Sequence, residues 1–174
     1  LFALARLLAV AQGDQQDYRA AQSLCEECLL LFHTLGDRRM VARVLMIQGQ
    51  LAFEQRDYAT ARRLIQEGMP ILQALKDRRY SVGSLLILGT VDVAQGNVAQ
   101  GLLLCREALL QLREMGDLRE MGYKGVIMVC LLQLATGVAM QEQAVLAARI
   151  LGALAVLMET PGAPPFPLRR ASYE

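Results

Sequence analysis

The stretch GDRRMVARVLMIQGQLAFEQRDYATARRLI, at residues 36–65, decides the fold of this chain because a variant of it follows 40 residues later. That variant, KDRRYSVGSLLILGTVDVAQGNVAQGLLL, occupies residues 76–104. Self-similarity at a fixed period of roughly 20–50 residues is typical of repeat architectures. The same shift brings further charged residues into register: Asp37 with Asp77 and Asp117, and Arg39 with Arg79 and Arg119.

Each repeating unit divides into two helices, because short turns interrupt long runs of helix-forming residues. The turns inside the units are QGD at 12–14, QRD at 55–57 and QGN at 95–97. Glycine at a helix end adopts the left-handed conformation easily, and the Asp or Asn that follows caps the next helix. The pattern predicts eight helices, at residues 2–12, 18–34, 39–55, 58–75, 79–95, 98–115, 119–136 and 142–158.

Prolines and glycines predict three departures from this regularity. Pro70 lies inside a predicted helix and is expected to kink it or to end it early. Residues 137–143 are predicted to replace a short turn with a longer connection. Residues 159–174 contain four prolines and are predicted to be a linker or tail. The array proper is therefore predicted to span residues 1–158, in units of about 1–36, 37–76, 77–116 and 117–158.

Composition excludes several classes of function. Hydrophobic residues make up 54% of the 174 residues and charged ones 20%, but the apolar runs are too short for a transmembrane span. A net charge of +1 without a basic stripe argues against nucleic-acid binding. No secretory leader pattern is present, so a cytoplasmic protein with reduced thiols is expected. Because the chain begins at Leu1 within a predicted helix, we expect it to be part of a larger protein.

The cysteines and the histidine do not form a recognisable catalytic or metal-binding pattern. Cys25 and Cys28 share a helix face, but a redox pair needs a strand-to-helix setting, so two packing residues are favoured. His33 is the only histidine, and its place near a helix end favours contact with terminal carbonyls. We predict that the chain is not an enzyme and binds neither a metal nor a cofactor.

Two charged features leave alternatives open. The Asp-Arg-Arg triplets at 37–39 and 77–79 are compatible with anion binding, but their recurrence at the junctions favours helix caps followed by solvated cations. Asp92 either turns outward to solvent, which we favour, or makes a polar contact in a binding groove. A buried Asp92 would need a hydrogen-bond partner.

The repeat resembles the tetratricopeptide motif, which has a small residue in its first helix and an aromatic residue followed by small packing positions in its second. The matching positions are Gly49, Tyr58, Ala61, Ile65 and Gly68 in one unit, and Gly89, Val98, Gly101, Cys105 and Ala108 in the next. Gln48, Val98 and the 40-residue period depart from the family pattern, and HEAT repeats have a similar period. The small residues favour the tetratricopeptide reading. The fold class implied is all-α: a right-handed superhelical α-solenoid of about four tetratricopeptide-like helix pairs.

The resemblance also implies a binding surface, because the first helix of each pair lines the concave face of such arrays. A largely apolar groove for a protein or peptide is expected there, unless neighbouring domains or another copy of the chain cover it. The groove positions carried over from the family are Arg43, Met46, Gln50, Phe53, Glu54, Leu86, Thr90, Val93, Tyr123, Val126, Cys130 and Gln133.

A finer resemblance links the repeats, and the ending AARILGALAVLMETPGAPPFPLRRASYE at 147–174, to the sensor arrays of bacterial signal-transduction ATPases and LuxR-type transcription regulators. It implies a regulatory domain that receives a ligand or partner in a larger signalling protein. The alternative is an architectural or self-association module, a homo-oligomer whose groove is buried by another domain or chain.

Overall fold

The computed structural model describes residues 18–115, 121–140 and 142–159. They form seven α-helices and no β-strand, with consecutive helices packed against each other, which confirms the predicted all-α helical-repeat class. The predicted helix at 2–12 and the tail from residue 160 lie outside the described residues. The helices are α1 (Tyr18–Thr34), α2 (Arg38–Glu54), α3 (Tyr58–Ala74), α4 (Arg78–Ala94), α5 (Val98–Glu114), α6 (Met121–Met140) and α7 (Ala144–Glu159).

The chain forms two compact units, residues 1–84 and 85–174, so that α4 begins in the first unit and ends in the second. In the first unit, one apolar cluster joins α1, α2 and α3. Burial of such side chains is the main favourable term in folding. The buried members are Ala21, Leu24, Cys25, Cys28 and Phe32 of α1, Val41, Val44, Leu45, Ile47 and Leu51 of α2, and Leu64 of α3.

Small residues set the close contact between α2 and α3. A Cβ added to Gly49 would lie 2.7 Å from Ile65 Cδ1 and 3.3 Å from the Ala61 carbonyl oxygen. A Cβ on Gly68 would lie 3.3 Å from the Ala42 carbonyl oxygen. The end of α2 thus meets the beginning of α3, and the beginning of α2 meets its end, which makes the pair antiparallel. Gly49, a small-residue position of the repeat pattern, thus lies where α2 and α3 approach each other closely.

Glycine also allows a close contact between two helices in the second unit. A Cβ on Gly101 of α5 would lie 2.7 Å from the Gly89 carbonyl oxygen and 2.6 Å from Val93 Cγ2 in α4. Later in the unit, Met128 and Leu132 of α6 form a small buried cluster with Leu154 of α7. The second unit is therefore also built from helices packed on their neighbours in the chain.

The five described junctions between helices share one turn geometry. In each, a residue with positive φ is followed by a residue whose amide donates to the carbonyl five positions earlier, as from Asp57 N to Ala52 O at 2.9 Å. The amide of the positive-φ residue itself donates to the carbonyl three positions earlier, as from Arg56 N to Phe53 O at 2.9 Å. These two hydrogen bonds together form the Schellman pattern that closes a helix. Glycine takes the left-handed position at two of the junctions, whereas a side chain is tolerated there at the other three. The five residues are Gly36 (φ 68°), Arg56 (62°), Lys76 (52°), Gly96 (85°) and Glu142 (62°).

One predicted departure from regularity is wrong, and a second is wrong in one of its two alternatives. Helix α6 continues to Met140, so that residues 137–143 do not form a long connection. Gly137 is buried inside the helix, where a Cβ would lie 2.9 Å from Val98 Cγ1 of α5, so it serves close packing rather than a turn. Helix α3 does not end early at Pro70 but continues to Ala74, and the other alternative, a kink at Pro70, stays a prediction. Pro70 and Gln66, whose carbonyl loses its amide donor, are both exposed, so water can satisfy that carbonyl.

Candidate binding surface

The predicted groove residues of α2 lie along one side of the helix. Arg43, Met46, Gln50 and Phe53 follow one another at intervals of 3, 4 and 3 residues, which places them on one face. All four are half-buried, in contrast to Val44 and Leu45 beside them, which are fully buried in the core. We call these four residues the α2 stripe. It is a surface in contact with both protein and solvent.

Tyr80 of α4 organises the first end of the α2 stripe. The guanidinium carbon of Arg43 lies 5.3 Å from the centroid of the Tyr80 ring, and that of Arg39 lies 5.7 Å from it. Both distances are within the range of cation–π attraction. Two cationic groups therefore converge on one aromatic ring.

Only one of the two arginines is neutralised by a carboxylate among the described residues. Arg39 Nε donates to Asp77 Oδ2, in an ion pair whose acidic side chain is only 6% exposed. The other oxygen of Asp77 accepts from the Tyr80 amide at 3.3 Å, so Asp77 also caps the start of α4. Arg43 has only its contact with Tyr80 in this part of the chain, and its planar donors are held in place without an anion.

The rest of the α2 stripe is apolar except for the amide of Gln50, and the acidic Glu54 lies next to it on α2. The sulfur of Met46 packs near Gly83 of α4, where an added Cβ would lie 3.2 Å from it. Phe53 stacks at 5.7 Å between ring centroids on Tyr58 at the start of α3. Beside it, Gln50 Nε2 donates to Glu54 Oε1 at 3.3 Å. Along α2 the surface thus passes from a cation, over a thioether and an aromatic ring, to a carboxylate.

The groove positions predicted on α4 and α6 have a different outcome. Leu86 and Val93 are 5% and 6% exposed, so they contribute to the core and offer little surface to a partner. Val93 is buried because it packs against Gly101 of α5. Thr90 is half-buried, and its hydroxyl donates to the Leu86 carbonyl at 2.8 Å. The side chains predicted on α6 lie outside those that the structure describes: Tyr123, Val126, Cys130 and Gln133.

Sequence reasoning missed Arg39, Tyr80 and Asp77. The Asp-Arg-Arg triplets were expected to be caps followed by solvated cations. The cap is confirmed, since Asp37 accepts from the Met40 amide at 3.1 Å. Arg39 is 59% exposed, as expected of a solvated cation, but it also pairs with Asp77, which was not predicted. The sequence feature that could have indicated this ion pair is the recurrence of the triplet at a 40-residue spacing. Only the packing of the helices, however, shows that Arg39 of one triplet reaches Asp77 of the next.

A second concave surface lies on another side of the first unit, with α1 and α3 as walls and α2 as floor. Its volume is ≈ 520 Å³, and its floor includes Leu45 and Leu51. The charged and polar residues at its edges were not predicted as a site, because they lie on three different helices without a common spacing. They are Gln22, Glu26, Gln48, Asp57, Arg63 and Glu67.

The Cys-x-x-Cys pair is a packing feature, as predicted. Cys25 and Cys28 are both fully buried in the cluster between α1 and α2. Burial, with smaller contributions from the Cys28 thiol and Glu26, raises the pKa of Cys25 to about 12. Burial also raises the pKa of Cys28. Because the thiolate is the reactive form, both cysteines are unreactive at neutral pH.

The favoured interpretation of Asp92 is wrong. The side chain does not face solvent, since Asp92 is only 3% exposed. Its carboxylate accepts from Asn97 Nδ2 at 3.4 Å, and its carbonyl accepts from the Asn97 amide at 2.8 Å. Asp92 therefore helps to close the turn that joins α4 to α5, where Asn97 supplies donors to both its carboxylate and its carbonyl.

Metal binding and membrane insertion have no support in the described part of the chain. No group of three or more His, Cys, Asp or Glu side chains comes together there in a way that would hold a metal ion. None of the seven helices combines the length and the apolar character that a membrane crossing requires. Neither models of known protein families nor curated protein sequences match this chain.

Proposed function

We propose that this chain is a non-catalytic binding module that recognises a peptide or protein segment along the α2 stripe. The observation that carries the proposal is the position of Arg43. Its guanidinium is held over the Tyr80 ring, is half-buried and has no carboxylate partner among the described residues, whereas Arg39 beside it has one. A cation held in this way loses little conformational entropy when it binds a carboxylate.

The neighbouring residues define the chemistry of the ligand. Met46 and Phe53 offer adaptable and aromatic surface for one or two apolar side chains. An acidic side chain that pairs with Arg43 would lie at the beginning of α2. A basic or amide side chain is favoured near Glu54 at the other end. The proposed ligand is therefore a segment with an acidic residue followed by apolar residues, lying along the axis of α2.

The biological context is proposed on the sequence resemblance. We propose that the module is the regulatory repeat domain of a larger bacterial signalling or transcription-regulatory protein, in the cytoplasm. There, the bound segment would come from a partner protein or from an adjacent domain. The all-α repeat fold supports this context because stacked helix pairs present extended binding surfaces.

The test begins with a random peptide library displayed on phage and selected against the immobilised chain. We expect the selected peptides to be enriched in Asp or Glu next to large apolar residues. A fluorescein-labelled copy of the best peptide is then titrated by fluorescence anisotropy against the chain and its variants. Arg43→Gln is expected to weaken binding about tenfold, because a charge-assisted hydrogen bond is lost. Phe53→Ala is expected to weaken it by a similar factor or more.

The matched control is Arg38→Gln, which removes the same charge from an exposed position on a different face of α2. We expect it to change the affinity by less than about twofold. Arg43→Lys keeps the charge but not the planar stacking, and an intermediate loss is expected. A library that yields no peptide, or a peptide that binds Arg43→Gln and Phe53→Ala as tightly as the parent, would overturn the proposal.

A further inference from the structure

The beginnings of α2 and α4 form a strongly basic surface in the first unit, although the chain as a whole has a net charge of only +1. The two segments lie side by side, because Arg39 of one pairs with Asp77 of the other. Residues 37–43 and 76–80 together contain six cationic and two acidic side chains. The six cations, of which all but Arg43 are exposed, are Arg38, Arg39, Arg43, Lys76, Arg78 and Arg79. A surface with this excess of positive charge attracts an anionic ligand.

The stability of the two helices does not account for these cations. Arg38 and Arg39 lie in the first turn of α2, Arg78 and Arg79 lie in that of α4, and neither first turn contains an acidic residue. Cations at this end of a helix oppose the positive end of the helix dipole, where acidic side chains would be favourable. A bound anion would relieve this repulsion.

Two of the cations are held so that both can bind the same group. Arg39 and Arg43 lie four residues apart on one face of α2, and their guanidinium carbons lie 5.7 and 5.3 Å from the centroid of the Tyr80 ring. The ion pair with Asp77 uses Nε of Arg39, whose side chain remains 59% exposed. The terminal nitrogens Nη1 and Nη2 of Arg39 are therefore open to an acceptor from outside. We call Arg39 and Arg43 the arginine clamp.

The charge of the arginine clamp favours a phosphate group over a carboxylate. Asp77 neutralises one of the two guanidinium charges, and four further cations flank the clamp at the beginnings of α2 and α4. A carboxylate carries a single negative charge, whereas a phosphate monoester carries about −1.5 to −2 at pH 7 and offers three acceptor oxygens. Planar guanidinium groups bind such oxygens through paired hydrogen bonds. A phosphate monoester can thus accept from both arginines at once.

We propose that the arginine clamp recognises a phosphorylated side chain in the segment that binds along the α2 stripe. The proposal rests on the peptide-binding function proposed above and adds its regulation, since phosphorylation of the partner would switch binding on. The phosphate would lie at the beginning of α2, over Tyr80, and the apolar residues of the segment would lie on Met46 and Phe53. Anion binding at the Asp-Arg-Arg triplets, one of the alternatives that the sequence leaves open, is thereby assigned to Arg39 together with Arg43.

The test compares three forms of one fluorescein-labelled peptide by fluorescence anisotropy on the 174-residue chain. The best peptide from the phage selection is synthesised with phosphoserine, glutamate or serine at its acidic position. A synthetic peptide pool with a fixed phosphoserine is screened in parallel, so that a ligand that requires the phosphate is also found. We expect the phosphoserine form to bind about tenfold more tightly than the glutamate form, because it gains a charge-assisted hydrogen bond to Arg39. The serine form should bind most weakly.

The informative quantity in the variants is the ratio of the two dissociation constants, glutamate form over phosphoserine form. Arg39→Lys keeps a cation beside Asp77 but removes the planar donors, and we expect the ratio to fall from about ten to about two. If Arg39 only supported the fold, both peptides would weaken together and the ratio would not change. The matched control is Arg38→Gln, which removes a charge from the same basic surface outside the clamp and should change the ratio by less than about twofold.

Three outcomes would overturn the phosphate proposal. If both forms bind equally and both depend on Arg43, or if Arg39→Lys leaves the preference unchanged, the peptide site stands without a phosphate clamp. If neither the phage selection nor the phosphoserine pool yields a ligand, both proposals fail. A labelled single-stranded oligonucleotide of mixed sequence is titrated as well. Tighter binding of this probe than of the phosphopeptide, lost in Arg39→Lys, would assign the clamp to nucleic acid instead.

Discussion

The α2–α3 pair and the α6–α7 pair follow the same plan but end in different surroundings. Both are helical hairpins with a left-handed, non-glycine residue at the turn, Arg56 in one and Glu142 in the other. In α3 the exposed residues include Arg63, Gln66 and Glu67, whereas the exposed residues of α7 between Ala144 and Val156 are apolar except for Arg149. The difference teaches that the repeat pattern determines how a pair folds on itself. The residues on the exposed face of the second helix determine whether that face suits water or an apolar contact.

The largest expected difference between the two pairs is at the eighth position of the second helix. Ile65→Ala should lower the free energy of unfolding by about 3 kcal/mol, because it leaves a cavity beside Gly49. Leu151→Ala should lower it by less than about 1 kcal/mol, because its side chain is already partly in water. Urea denaturation followed by circular dichroism compares the free energies of unfolding of the two variants. Equal losses would mean that Leu151 is buried in the single chain.

A smaller effect of the opposite sign is expected at the turns, where the two pairs should behave alike. Arg56→Gly and Glu142→Gly should each raise the free energy of unfolding by about 0.5–1 kcal/mol. Glycine removes the steric cost of a positive φ, and its greater freedom in the unfolded chain offsets only part of that gain. Gly96→Ala is the reverse control and should lower stability by a similar amount. A loss of stability in both glycine variants would show that these side chains make contacts that outweigh the strain.

The smallest expected effect is a pH dependence at the residue before α3, for which the residue before α7 has no counterpart. The amide of Thr60 donates to Asp57 Oδ1 at 3.0 Å and, with the Thr60 side chain, holds the pKa of Asp57 below its usual value. Because the folded pKa is the lower one, this contribution is present above about pH 4 and is lost as the pH falls through the folded value. Gln143, at the equivalent position before α7, has no such titration.

Asp57→Asn is the variant that isolates this effect, since Asn can still cap a helix but does not titrate. We expect the urea midpoint of the parent chain to fall more than that of the variant between about pH 7 and pH 3. The Gln143→Glu variant serves as a control for adding a titrating group at a helix start. Parallel pH profiles of the parent chain and Asp57→Asn would contradict the assignment.

The sequence predicted the helices well because the residues that start and end a helix act through contacts with their neighbours in the chain. Asp37 and Asp57 mark the starts of α2 and α3 through hydrogen bonds to amides three residues later, a contact that depends only on neighbouring residues. Glycines mark turns less reliably. Gly137 was misread as part of a connection because a glycine that permits close helix packing looks the same in sequence as one that ends a helix.

The candidate site was predicted only in part. The α2 stripe follows from helical spacing, and its residues are half-buried together as expected of one face. That Arg43 stacks on Tyr80 while Arg39 pairs with Asp77 depends on how α4 packs on α2, which no local pattern encodes. Leu86 and Val93 were placed in the groove because they occupy the family positions, yet the close approach of α5 at Gly101 buries Val93.

The sequence by itself determined that the chain is all-α and, at most of the described junctions, where its helices turn. These properties depend on periodicity, capping and backbone freedom, which act over a few residues. Only the tertiary structure decided which apolar and charged residues remain accessible, because burial depends on what another helix brings to the same place. Thus Asp92 is buried at a turn and Leu151 is exposed, although the polarity of each residue alone predicts the opposite.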